Sequence, residues 1–110
     1  MRTGSTRSNS GYPTHSEAHP IIARLIEDYC RRDPGYMTHE SMIKAMLSDG
    51  QAGAIVERIL DDKTLGERAG NIIAGFSQTF SLGRSPWNHR LEGDKTLGKW
   101  RFKVRGAQPR

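Results

Sequence analysis

The residues able to do chemistry in this chain form a few small groups, and most of them lack the surroundings that their chemistry needs. Gly93-Asp94-Lys95-Thr96-Leu97-Gly98-Lys99 has the spacing G-x-x-x-x-G-K of a phosphate-cradling loop. Such a loop requires Ser or Thr next, to hold magnesium, and then a helix. Trp100 follows instead, and the pattern beyond it is that of a strand. His15 and His19 stand four apart with Glu17 between them, a possible metal-ligand pair. Pro20 and a polar leader argue against a preorganised site there. Serines, histidines and acids are present, but no nucleophile motif joins them. Cys30 sits on an apolar stripe and reads as a small buried hydrophobe. As the single cysteine, it permits no intramolecular disulfide, which favours a reducing, cytoplasmic setting. These groups call for no cofactor and no metal, and the expectation is a non-enzymatic protein.

One chemical signal remains, and it is electrostatic. Residues 81–110 carry eight Lys/Arg against Glu92 and Asp94, a net of +6. Residues 16–80 carry seven positive and ten negative side chains, a net of −3. Arg2 and Arg7 bring the whole chain to +5. A cationic stripe of this kind attracts a phosphate backbone by Coulomb attraction and counterion release. The plainer alternative is that Lys and Arg only guard an exposed sheet edge against aggregation. Trp87 and Trp100 are candidates for stacking on bases. Their phase with Phe102 and Val104 places them in the core instead.

The elements that must carry these residues follow from periodicity. At 110 residues the chain has room for one domain, and its 35% hydrophobic content is low because the first fifteen residues are nearly all polar. Residues 1–15 are expected to be a disordered tail, 16–105 the domain, and 106–110 a loose end. No apolar run approaches the ~20 residues of a membrane span, and no secretory leader is expected. Ile21, Ile22, Leu25, Ile26, Tyr29 and Cys30 predict a helix over 18–32, stopped by Asp33-Pro34-Gly35. Tyr36-Met37 reads as a stub of strand. Thr38 caps a second helix to Ser48, with Met37 and Met42 spaced as a hydrophobic staple. Ala52, Ile55, Val56, Ile59 and Leu60 predict a short third helix within 51–61.

Thr64-Leu65-Gly66-Glu67 is a capping box opening a long helix over 64–80. Leu65, Ala69, Ile72, Ile73, Phe76 and Phe80 form its core arc. Gly66, Gly70, Ala74 and Ser77 form a band of small residues beside that arc, expected to pack closely on a neighbour. Arg68, Asn71, Gly75 and Gln78 face away. After Gly83, Ser85 and Pro86 the period becomes two. Trp87, His89 and Leu91 alternate with polar residues, and so do Trp100, Phe102 and Val104. This predicts a β-hairpin with strands at 87–91 and 99–105 and a seven-residue connection, Glu92 to Gly98. The pentapeptide Asp-Lys-Thr-Leu-Gly occurs at both 62–66 and 94–98, once entering a helix and once in that connection.

Together these predict an α+β chain of three to four helices and a C-terminal hairpin, in an order that resembles the winged helix-turn-helix domain. The resemblance covers roughly residues 18–105 and rests on element order. The connection from Asp49 to Lys63 departs from it by holding an extra helix. The resemblance implies double-stranded DNA as partner and a role in transcription regulation. Arg90, Lys95, Lys99, Arg101, Lys103 and Arg105 on the hairpin would hold phosphates. Arg68, Asn71 and Gln78 on the long helix would meet base edges, since Arg suits guanine and Asn or Gln suits adenine. The competing expectation is a homodimer or protein-interaction module built on the small-residue band and the extra helix.

Overall fold

The computed structural model describes residues 13–60 and 62–106. The expectations for residues 1–12 and for the end of the chain from 107 lie outside that range. Order begins earlier than the polar composition implies, because Thr14 and Glu17 form a second capping box. The Glu17 carboxylate accepts from the Thr14 N–H at 3.1 Å and opens a 3-10 turn, His15–Ala18. That turn runs into α1 (His19–Arg32), with Pro20 in the first turn where its missing N–H is harmless. Ile22, Ala23, Ile26 and Cys30 are buried along one side of α1.

The stub at Tyr36-Met37 is a single antiparallel bridge. The Met37 N–H donates to the Phe102 carbonyl at 2.7 Å, and the Phe102 N–H returns to Met37 at 3.1 Å. Thr38 then caps α2 (His39–Ser48) by accepting from the Ser41 N–H. Met37 and Met42 are both buried, as the staple spacing requires. Asp49 separates α2 from α3 (Gly50–Arg58) and caps the latter, accepting from the N–H groups of Gln51 and Ala52. Its carboxyl is held below the usual range, first by the Ala52 N–H and then by the Arg24 guanidinium. The third helix is shorter than its apolar spacing predicts. Ile59 is already extended but stays buried, while Leu60 stands 76% exposed.

α4 (Leu65–Ser81) opens on the expected box: Thr64 accepts from the Glu67 N–H, and Glu67 accepts from the Thr64 N–H. Ala69, Ile72, Ile73 and Phe76 are wholly buried, and Phe80 packs at the border of the core. The helix ends where Gly83 takes a positive φ of 73° and its N–H returns to the Phe80 carbonyl.

The hairpin exists, but its first strand is displaced from the expected position. Residues 86–90 are turns, closed by N–H groups of Arg90 and Leu91 returning to the Trp87 carbonyl. The strands are β1 (Leu91–Thr96) and β2 (Lys99–Val104), joined by Leu97 and Gly98 alone. Leu91 pairs with Val104, Gly93 with Phe102 and Asp94 with Arg101. The displacement has a packing cause. Leu91 is buried and Gly93 gives room to three aromatic rings, so the inward positions are 91 and 93, not 87 and 89. His89, expected inside, is exposed. Trp87 reaches the core from a turn and stacks on Phe76 at 6.0 Å between ring centroids.

These elements make two layers. The inner face of the hairpin, with Trp100 and Phe102, lies on Phe76 and Phe80 of α4 through centroid separations of 5.1–6.2 Å. α1, α2 and α3 close the remaining sides of the same core.

Candidate nucleic-acid interface

The exposed strip of α4 consists of Glu67, Asn71, Ala74, Gln78 and Ser81. At 100° per residue these share one side of the helix. Asn71 and Gln78 therefore stand where the sequence places them, open to solvent. Ala74, expected in the packed small-residue band, is exposed with them. Gly70 does pack as expected: a Cβ there would lie 3.8 Å from His39 and 3.9 Å from Ile43 of α2. Gly66 has nothing within 4 Å. Gly75, expected to face outward, lies under the His19 ring.

Arg68 is placed differently from a base reader. Its guanidinium donates to the carbonyls of Lys63 at 2.9 Å, Val56 at 3.2 Å and Glu57 at 3.3 Å. The last two are carbonyls in the final turn of α3. A cation there satisfies open acceptors and opposes the negative end of the helix dipole. Arg68 thus ends α3 and ties it to the start of α4.

The hairpin cations divide by face. Trp100 and Phe102 point inward, so their neighbours Arg101 and Lys103 point outward, away from α4. The pleat therefore turns Arg101 and Lys103 away from the side of the ribbon that packs on α4. Arg101 is ion-paired to Asp94 at 2.7 Å and lies 4.2 Å from the Tyr36 ring centroid. Arg101, followed by Thr96, lowers the Asp94 carboxyl below its ordinary value by hydrogen bonding. Lys103 pairs with Glu92 at 3.4 Å and sits 5.2 Å from the same ring. Arg105 lies 4.0 Å from Glu92 and donates to the carbonyls of Asn88 and Leu91. Arg90 pairs with Glu27 of α1 at 3.0 Å. Arg90 and Arg105, with Arg31, wall a depression over Cys30 and Val104 where α1 meets the base of the hairpin.

Lys95 and Lys99 differ from these four. Both are exposed at the hairpin tip, and among the described residues no carboxylate pairs with either. Lys95 stands opposite Trp100 in the register, on the side that faces α4. Lys99 lies in a shallow depression with Thr38, His39, Glu40, Leu97 and Trp100. His39 also lines a second depression with Ile43, Lys63, Gly70 and Asn71. One surface therefore runs from the hairpin tip across the start of α2 to the first half of α4. Burial, and secondarily the charge of Lys99, keep the His39 imidazole below its ordinary pKa. His39 had no place in the sequence-level site. Its one signal was its position directly after the Thr38 cap, which fixes the direction in which α2 sets out.

Among the described residues, no three His, Cys, Asp or Glu groups are placed to hold a metal ion. No described helix is long and apolar enough to cross a membrane. The G-x-x-x-x-G-K run is spread over β1, the turn and β2, with no helix after it. Compared with protein-family models, curated proteins and solved structures, the chain finds a match in none of the three.

Proposed function

We propose that this chain is a non-enzymatic module that binds double-stranded DNA in the manner of a winged helix-turn-helix domain. The hairpin tip supplies the phosphate contacts, and Asn71 and Gln78 of α4 meet base edges. The observation that carries this reading is that Lys95 and Lys99, exposed on opposite faces of the hairpin tip, pair with no carboxylate among the described residues, and that Lys99 shares a depression with His39, which lines another with Asn71 of α4. The Met37–Phe102 bridge adds support, because it gives the hairpin the short first strand that the resemblance implies.

A salt titration against mixed-sequence duplex tests the proposal. Affinity falls with log salt at about −0.9 per phosphate neutralised. Two tip lysines give a slope of about −2, against about −7 were all eight cations of residues 81–110 engaged. Lys95→Gln with Lys99→Gln should flatten the slope, and Asn71→Ala should alter sequence preference while leaving it in place. No binding at low salt refutes the reading.

A second reading, a protein-interaction module, rests on Leu60 and Leu65. Both are exposed, at 76% and 41%, beside the corner that joins α3 to α4. Light scattering that shows a dimer dissociating on dilution, with Leu60→Ser abolishing it, would favour that reading.

A further inference from the structure

The hairpin turn is made of Leu97 and Gly98, with φ values of 53° and 80°. Two positive φ values in a two-residue loop define a type I′ turn, where Asn-Gly or Asp-Gly fits without strain. Leucine at the first position carries two penalties at once. Its backbone occupies the left-handed region that L side chains avoid, and its side chain is 97% exposed. Both would vanish with asparagine. An apolar side chain held outward on a strained tip is the form of a wedge, and backbone strain of this kind is found where a segment is built to engage something.

We infer that Leu97 inserts between base pairs from the minor groove of the duplex, an inference that rests on the DNA-binding reading above. Lys95 and Lys99 stand two residues to either side of Leu97 on the paired strands. Paired strands are about 4.8 Å apart and the minor groove is about 6 Å wide. The tip alone enters, and the two ammonium groups are left against the phosphate walls. Asp94 and Glu92 do not oppose this, because Arg101 and Lys103 hold them. Apolar wedges of this size partly unstack a base step and kink the duplex. The same residue offers too little apolar surface to anchor a chain on a bilayer, where stable attachment takes two signals.

The test uses the full chain and a duplex carrying 2-aminopurine at a central A·T step, read by anisotropy and by fluorescence. Burying one leucine side chain corresponds to roughly a ten- to hundredfold change in affinity, part of which unstacking consumes. Leu97→Asn should therefore bind about tenfold more weakly, with an unchanged salt slope and no 2-aminopurine signal. Leu97→Met, which keeps the apolar wedge, should retain both. If Leu97→Asn binds as tightly as the parent with the same fluorescence, the wedge is wrong and the DNA reading stands. If the parent chain binds no duplex at low salt, both fall. Binding to vesicles of two parts phosphatidylcholine to one part phosphatidylserine, tighter than to duplex and lost in Leu97→Asn, overturns the wedge in favour of a bilayer contact.

Discussion

Replacing Gly93 by alanine should cost this domain much of its stability. Gly93 lies in β1 opposite Phe102, facing the core. A Cβ at this position would sit 2.8 Å from Phe80, 2.9 Å from Phe102 and 2.9 Å from Trp100, where ordinary contact begins at 3.4 Å. Each ring would have to retreat by half an ångström or more. Phe102 has the least room to do so, because it is wholly buried, abuts Phe76 at 5.1 Å and stacks on Trp100 at 5.8 Å. Overpacking of this kind costs about 1–3 kcal/mol. Alanine regains roughly 0.5–1 kcal/mol of backbone entropy. The wide end of the overpacking range is the relevant one, since three rings are displaced together, so the net loss is about 2 kcal/mol. That corresponds to a fall in Tm of roughly 8–16 °C for a domain of this size. Urea denaturation followed by Trp fluorescence reads the effect at constant m-value. Gly66→Ala is the control: nothing lies within 4 Å of a Cβ there, so it should stabilise α4 by up to about 1 kcal/mol. A Gly93→Ala chain as stable as the parent, with an unchanged near-ultraviolet spectrum, would refute the packing argument.

Arg68→Ala should lower stability by about 1–2 kcal/mol in urea unfolding, since two acceptors in the last turn of α3 lose a charged donor. Equal urea midpoints would refute the capping role of Arg68. Leu97→Asn should raise Tm by roughly 4–8 °C, because relief of the left-handed leucine is worth about 1 kcal/mol. His19 should make folding weaker in mild acid. Burial, and secondarily His15, lower its pKa in the folded state, and its Nε2 is buried without a partner beside Phe76. The unfolded chain therefore takes up a proton that the folded chain refuses. Its contribution is complete above the ordinary histidine value of about 6.5 and declines as pH falls from there toward the lowered value. The difference between urea midpoints at pH 7.5 and 5.5 should shrink in His19→Phe, the remainder including His39, whose pKa burial also lowers; an unchanged pH difference would assign the effect elsewhere.

What the sequence made legible was local: caps, stripes and stops whose causes lie within a few residues. Thr38 and Thr64 each cap a helix through their own side chains, so the starts of α2 and α4 could be read directly. Thr14 and Glu17 form the same motif and were hidden only by the polar composition around them. The first strand of the hairpin was misplaced because its inward position is a glycine. A period-two reading counts side chains, and Gly93 contributes by having none. The end of α3 was misread because its cap comes from Arg68, ten residues beyond Arg58 and on another helix.

The repeated pentapeptide makes the same point within one chain. In residues 62–66 its threonine caps a helix and its leucine is the first residue of α4. In 94–98 its aspartate holds Arg101 across the sheet, and its leucine and glycine turn the hairpin. The second environment differs in what lies opposite: a strand whose Arg101 and Trp100 can be met only if Asp94 and Lys95 are extended. That pairing also decides the electrostatics. A net of +6 over residues 81–110 reads as one basic surface, yet Asp94 and Glu92 neutralise the outward face of the ribbon locally. Lys95 and Lys99, which no carboxylate among the described residues neutralises, flank the strained turn that also lifts Leu97 into solvent. Electrostatic attraction and apolar exposure thus meet at the tip, and a ligand that engages one must meet the other.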